Sequence, residues 1–162
     1  MRGNYFGNFG CGLCCMANIY STFSGHTCSP WDMFLYAREV SGYTPTKKIG
    51  AIGWGDMKTV MRKCGFDAEL YTKPQDYETF RDQVRSAKSV VVLVSSHDDN
   101  TYWKKTGGHY VNISLYKEDT DEVFLADPAD PDGNRNFIQL RYVYDAIKTV
   151  SKYLYLLVNG YS

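Results

Sequence analysis

The sequence predicts an α+β fold in which a helical first half packs on an antiparallel β-sheet. In the first half, apolar residues recur at three- and four-residue steps, as one face of a helix requires. From Ser89 onward, a β-branched run and alternating apolar residues are typical of strands. Helices and strands are therefore segregated along the chain, which favours an α+β class over alternating βαβ units.

The length and composition indicate one ordered globular domain, residues 1–162, large enough to bury a core. The residues are 44% apolar and 22% charged, as in ordinary globular proteins. Eighteen basic residues balance eighteen acidic ones, so the net charge gives no reason to expect a nucleic-acid partner. We see no signal peptide and no run near the ~18 apolar residues of a membrane span.

The five cysteines are odd in number, and three of them fall within residues 11–15. Both features argue against a secreted disulfide framework. They favour reduced thiols, one of them reactive, and weakly favour a reducing compartment such as the cytoplasm.

Four helices are predicted before residue 88. The first begins near Cys11 and runs to about residue 23, because its apolar residues form one stripe. The second begins at Ser29-Pro30-Trp31-Asp32 and runs to about residue 40. Serine is a favoured N-cap residue, proline suits the first turn of a helix, and an acidic residue stands three positions after the cap. The third begins at Asp56 and is ended by Gly65, and the fourth begins at Pro74.

The predicted strands are, in order, residues 66–71, 89–94, 109–116, 123–126 and 153–158. The unbroken valine-rich run at 89–94 is typical of a buried strand. Alternation places four residues of the third strand on one face: His109, Val111, Ile113 and Leu115. The charged turn at 117–122 makes a hairpin of the third and fourth strands, and a short helix over 142–151 precedes the last strand.

Gly10-Cys11-Gly12-Leu13-Cys14 places a thiol at a helix start. A thiol reacts as its thiolate, and the unpaired N–H groups and dipole of a helix N-terminus stabilise an anion. The glycines leave the sulfur open, and the Cys11 N–H is expected to point at the oxygen of an attacked carbonyl. We predict Cys11 as a nucleophile; the alternative is that all three clustered cysteines are small buried hydrophobes.

The partner base has three candidates, because the chain has three histidines. His26 and His97 lie in predicted loops, whereas His109 begins a strand after two glycines. A strand start gives an imidazole rigid support and an open edge, so we predict His109 as the base.

Asp127 is the predicted orienting group for that imidazole. It directly follows the fourth strand, and in an antiparallel hairpin the end of one strand lies beside the start of its partner. His109 and Asp127 are therefore expected neighbours. Asp130 and Asp132 are weaker alternatives, and an Asp-Pro pair by itself is typical of a plain turn.

In this order the peptides resemble papain-like cysteine peptidases, most closely the bacteriocin-processing (double-glycine leader) peptidase domains. The matching segments are Cys11-Gly12-Leu13-Cys14, Gly108-His109-Tyr110-Val111 and Val123-Phe124-Leu125-Ala126-Asp127-Pro128. The resemblance spans most of the chain and implies a papain-like fold acting on a peptide or protein substrate. It implies that Cys11 attacks the substrate and forms a thioester acyl-enzyme, that His109 acts as the general acid and base, and that Asp127 orients the imidazole. It implies no metal or organic cofactor.

One position departs from the pattern of that superfamily. Papain-like enzymes usually carry a glutamine about six residues before the nucleophile as an oxyanion donor, and here Tyr5 stands there. Asn8 and Asn4 are the nearby amides and so the candidate donors. Losing such a donor lowers the rate roughly 10²–10³-fold. A catalytically weak or inactive peptide-binding module with the same fold is therefore the alternative function.

Two further alternatives use the cysteine cluster differently. Cys11-Gly12-Leu13-Cys14 is a C-x-x-C peptide of the kind found in thiol-disulfide redox proteins, but the residues before it read as a loop, not as the strand of a thioredoxin-like fold. A zinc site would draw on Cys11, Cys14 or Cys15, His26 and Cys28. Three cysteines within one helical turn do not give the spacing of paired zinc knuckles.

We expect the active site in the cleft between the helical half and the sheet. Trp54 and Trp103 lie in Gly-rich or polar loops and are the expected walls of that cleft.

Overall fold

The computed structural model describes residues 11–44, 52–95, 109–126, 136–147 and 152–161. In these ranges it has five helices: α1 (Cys11–Ser24), α2 (Pro30–Ser41), α3 (Trp54–Lys63), α4 (Tyr77–Ser86) and α5 (Leu140–Ala146). Its six strands are β1 (Phe66–Thr72), β2 (Ser89–Val94), β3 (His109–Lys117), β4 (Glu122–Ala126), β5 (Asn136–Gln139) and β6 (Leu154–Tyr161). The strands form one sheet in the order β1-β6-β2-β3-β4-β5, and every neighbouring pair is antiparallel. The α+β class is confirmed; that residues 1–162 form a single domain stays a prediction.

The sheet separates two hydrophobic cores. Residues of α1, α2 and α3 pack on one face in the first core, and residues of α4 and α5 pack on the other face in the second. Neighbouring valines of β2 alternate between them, with Val91 in the first core and Val90 and Val92 in the second. The unbroken valine run follows from this position, since a central strand covered on both faces needs apolar residues on both.

Local signals explain the ends of the helices. The Ser29 hydroxyl accepts the Asp32 N–H at 3.0 Å, and the Asp32 carboxylate accepts the Ser29 N–H at 3.1 Å, so the predicted capping box at the start of α2 is present. Gly65, two residues after the end of the third helix, has a φ of 103°, a conformation that glycine adopts without strain.

Several predicted boundaries were wrong. The fourth helix begins at Tyr77 and not at Pro74, because the Asp76 carboxylate caps it by accepting the Thr79 N–H at 3.1 Å. The third begins at Trp54, two residues before Asp56, and the last helix ends at Ala146. The short strand β5, which continues the sheet beyond β4, was not predicted.

The predicted alternation along β3 fails at Leu115. The pairing of β3 with β4 shifts register between Ser114 and Lys117, and Leu115 lies in this irregularity with a φ of 54°. Its side chain is 67% exposed, whereas Val111 and Ile113 are fully buried. A bulge changes the direction of the side chains within it, so the two-residue period ends there. No helix in the described ranges is long and apolar enough to cross a membrane.

Gly12 lets the first turn of α1 approach the start of β3 closely. A Cβ built on Gly12 would lie 2.7 Å from Ile52 Cγ2 and 3.3 Å from Tyr110 Cδ2. Ile52 is fully buried and Tyr110 is only 4% exposed, so neither side chain has free space to move into. The contact joins the residue after Cys11 to the residue after His109.

We expect Gly12→Ala to lower the free energy of unfolding by about 1–2 kcal/mol, measured by urea denaturation. Overpacking costs about 1–3 kcal/mol, which exceeds the gain in helix propensity of up to about 1 kcal/mol. Gly55→Ala is the matched control, because Gly55 also lies in the first turn of a helix and nothing is within 4 Å of its Cβ position. Equal effects of the two substitutions would show that the close approach does not constrain α1.

Candidate active site

Cys11 is the first residue of α1 and is half-buried against the first core. The described part of this helix starts at the predicted nucleophile. The following turn carries Cys14, which is half-buried, and Cys15, which is 1% exposed.

Tyr110 connects the start of α1 to the start of β3. Its hydroxyl donates a hydrogen bond of 2.9 Å to the Ile52 carbonyl, and its ring meets the Trp54 ring edge-on at 5.1 Å. Burial raises the pKa of Tyr110, and the nearby thiols of Cys11 and Cys15 raise it further. Trp54, an expected cleft wall, thus contacts the residue next to His109.

An amide network fixes α1 along β3. The Asn18 side chain donates to Asn112 Oδ1 at 2.8 Å, and Asn112 Nδ2 donates to Ser89 Oγ at 2.6 Å and to the Val90 carbonyl at 3.0 Å. Asn112 is 4% exposed, and a buried amide is stable only when its hydrogen bonds are made. These bonds hold one position of the helix against β3 and β2.

His109 is the first residue of β3 and is half-buried. It pairs with Val94, the last residue of β2. Tyr110 belongs to the core on the α1 side, whereas Val111 belongs to the second core. Since side chains alternate along a strand, the His109 position is on the same face as Val111. This is the face opposite the one on which α1 packs.

The hairpin that was predicted to bring an aspartate to the histidine is present. β3 and β4 are antiparallel, and Ala126, the last residue of β4, pairs with Asn112. Several predicted residues lie outside the described ranges: Asn4, Tyr5, Asn8, His97, Trp103, Asp127, Asp130 and Asp132. The structure therefore locates Cys11 and His109 of the predicted triad, and the role of Asp127 stays a prediction.

The described residues contain no group of three or more His, Cys, Asp or Glu side chains that could hold a metal ion. This includes the residues of the zinc alternative, all of which are described. Burial, followed by the nearby Cys11, raises the pKa of the Cys14 thiol to about 11, so this thiol is protonated at neutral pH.

Sequence reasoning missed Tyr110, Asn18 and Asn112, which position the two predicted catalytic residues. A signal for Asn112 is present, because it is an amide within an otherwise apolar stretch of strand. Such a residue in a buried strand requires partners. The identity of its partner on α1 depends on how the helix docks, which the sequence pattern leaves open.

Comparison with known families assigns the chain to a peptidase-like family. The model of the Peptidase_C39 like family matches residues 8–152, which include Cys11, His109 and Asp127. The chain belongs to this family. No curated protein matches the sequence.

Two solved structures share the fold of this C39-like chain. One is the peptidase domain of Streptococcus ComA, a bi-functional ABC transporter involved in a quorum sensing pathway; the TM-score is 0.61 at 16% identity, covering 93% of this chain and 91% of that one. The other is the N-terminal peptidase C39 like domain of the toxin secretion ATP-binding protein from Vibrio parahaemolyticus, with a TM-score of 0.55 at 13% identity and coverage of 93% and 96%. The papain-like fold is confirmed, and a thioredoxin-like fold is excluded.

We expect iodoacetamide to leave Cys14 of the folded protein unmodified at neutral pH. Only the thiolate reacts, so a pKa raised from 9.0 to about 11 moves the reaction to higher pH. Modification of Cys14, followed by peptide mass spectrometry, should increase as the pH rises towards 11. In urea the unfolded chain should react with the ordinary pKa of 9.0. Rapid modification of Cys14 in the folded state at neutral pH would contradict this assignment.

Proposed function

We propose that the protein is a cysteine peptidase that hydrolyses a peptide or amide bond with Cys11, His109 and Asp127. The observation that carries the proposal is the contact between Gly12 and Tyr110, because it joins the residues that follow Cys11 and His109. Membership of the Peptidase_C39 like family supports the same chemistry.

In the proposed reaction His109 removes the proton from the Cys11 thiol, and the sulfur attacks the carbonyl carbon of the substrate. The negative charge moves to the carbonyl oxygen, which the Cys11 N–H at the helix start stabilises. His109 then gives its proton to the leaving amine, and a thioester to Cys11 remains. Water, deprotonated by His109, attacks the thioester, releases the acid and restores the thiol.

The terminal position of His109 in β3 is compatible with this role. A residue in the middle of the strand is confined to one face of the sheet, whereas the first residue lies at its end. In the proposed reaction the imidazole turns towards the start of α1. Asp127 follows Ala126 in the chain, and Ala126 pairs three residues from His109. A carboxylate after this strand is suited to hold the second imidazole nitrogen.

The other four cysteines are poorer nucleophiles at neutral pH. Cys15 is 1% exposed, and burial raises the thiol pKa of Cys14, Cys28 and Cys64. A protonated thiol attacks weakly. Cys11 is thus the best candidate nucleophile among the five.

The names of the two similar structures suggest the kind of substrate. Both belong to peptidase domains of transport or secretion proteins. We propose by analogy that this chain acts on a peptide or protein.

We expect iodoacetamide, added below the thiol concentration at neutral pH, to modify Cys11 before the other cysteines. His109→Ala should slow this modification about tenfold or more, because the base that removes the thiol proton is lost. His26→Ala is the control, since His26 is exposed in the loop after α1. Peptide mass spectrometry measures the modification at each cysteine. Slow and equal modification of all five would favour the inactive module.

We expect the protein to cleave members of a peptide library, with new termini identified by mass spectrometry. Cys11→Ala should abolish the cleavage. Asp127→Asn should slow it roughly 10²–10⁴-fold, because an amide holds the imidazole in the wrong tautomer. Asp67→Asn is the control, since Asp67 is exposed at the start of β1. Cleavage that persists in Cys11→Ala would overturn the proposed nucleophile.

The second candidate function is a peptide-binding module without efficient catalysis. Tyr5 at the position of the usual oxyanion glutamine favours it. The same library separates the two functions, because the module would retain peptides on the immobilised protein and release them uncleaved.

A further inference from the structure

Two thiols outside the candidate active site share one cavity. Cys28, in the loop between α1 and α2, and Cys64, directly after α3, are both half-buried free cysteines. They line a cavity of about 330 Å³ together with Tyr20, Met33, Tyr36 and Lys63. The proposed peptidase reaction uses neither of them.

The main chain at both cysteines is held in place. The Cys28 N–H donates to Ser21 Oγ at 3.0 Å, and the Ser21 hydroxyl donates back to the Cys28 carbonyl at 3.3 Å. The Cys64 N–H donates to the Val60 carbonyl at 3.0 Å and closes the last turn of α3. The Tyr36 hydroxyl of α2 donates to the Lys63 carbonyl at 3.1 Å. The cavity is therefore walled by three helices whose positions are coupled.

The two thiols also interact with each other. Burial, followed by the nearby Cys28, raises the pKa of Cys64 to about 11. Burial, followed by Asp32, raises the pKa of Cys28 as well. Both side chains line the same cavity, and the two thiols are close enough for Cys28 to affect the pKa of Cys64.

We propose that Cys28 and Cys64 form a dithiol site that a peroxide oxidises to an intramolecular disulfide. Small hydroperoxides such as hydrogen peroxide fit a cavity of this volume. The site joins the loop before α2 to the end of α3 when it is oxidised, and it links two of the helices that cover the first core.

The reaction has two steps. The Cys28 thiolate attacks one peroxide oxygen, the O–O bond breaks, and the departing hydroxide takes a proton to form water. Cys28 is then a sulfenic acid. The Cys64 sulfur, after losing its proton, attacks the Cys28 sulfur, and the S–O bond breaks with release of a second water. Two thiols lose two electrons and two protons, and one hydrogen peroxide is reduced to two waters.

Cys28 is assigned the first step because it is the less deeply buried of the two thiols. Cys64 has the more strongly raised pKa and is the poorer initial nucleophile.

The dithiol site is separate from the candidate nucleophile. α1 runs from Cys11 to Ser24, which is about 20 Å at the rise of an α-helix. Cys11 is at the start of this helix, and Cys28 follows its other end. The inference consequently stands or falls independently of the proposed peptidase activity.

Oxidation of the Cys11→Ser protein by hydrogen peroxide at mildly alkaline pH tests the proposal. We expect the intact monomer to lose two hydrogen atoms in mass and to yield one cross-linked peptide pair joining Cys28 to Cys64. Thiol reductants should reverse both changes. In the Cys64→Ser background Cys28 should instead gain one oxygen, which a sulfenic-acid trap detects.

Cys14→Ser is the matched control, because Cys14 is also half-buried and has a raised pKa. The protein with this substitution should form the Cys28–Cys64 cross-link as the Cys11→Ser protein does. Disulfides that join other cysteines in preference would overturn the proposal. So would oxidation of Cys28 to sulfinic acid without a cross-link while Cys64 is present.

Discussion

The close approach of the first turn of α1 to β3 is the constraint on which the candidate active site depends. Only a residue without a side chain allows Ile52 and Tyr110 to lie where they do against Gly12. The Tyr110 hydroxyl then fixes the Ile52 carbonyl, and the Asn18–Asn112 hydrogen bond fixes the helix further along. A close-packed interior transmits such a constraint, because neither a void nor an overlap is tolerated there.

The two ends of the sheet carry different groups of residues. Cys11 and His109 lie near the end where β3 begins, and polar anchors hold the other end. There the Asp121 carboxylate accepts hydrogen bonds from the hydroxyls of Tyr77 at 2.5 Å and Tyr116 at 2.6 Å. These bonds tie α4 to the β3–β4 hairpin. Hydrogen bonds to a charged group are stronger than neutral ones, so this anchor holds the hairpin that positions His109.

The five cysteines illustrate how environment assigns different chemistry to one side chain. Cys15 is buried and packs as a small apolar side chain. Burial keeps the thiol of Cys14 protonated near the candidate nucleophile. Cys28 and Cys64 share a cavity between helices, far along α1 from Cys11. The count of cysteines and their spacing argued against a secreted disulfide framework, but it did not distinguish these environments, since burial is a property of the folded chain.

The sequence alone determined the α+β class, most element positions and the order of the Cys11 and His109 segments, because helix and strand periods, caps and turns are local. It misplaced the start of α4, missed β5 and put Leu115 on the wrong face, since a carboxylate cap and a bulge override the simple pattern. Only the tertiary structure decided that Gly12 meets Tyr110, that Asn18 pairs with Asn112 and that Cys28 and Cys64 line one cavity. These contacts join residues far apart in the chain, and their partners are selected by packing of whole helices on the sheet.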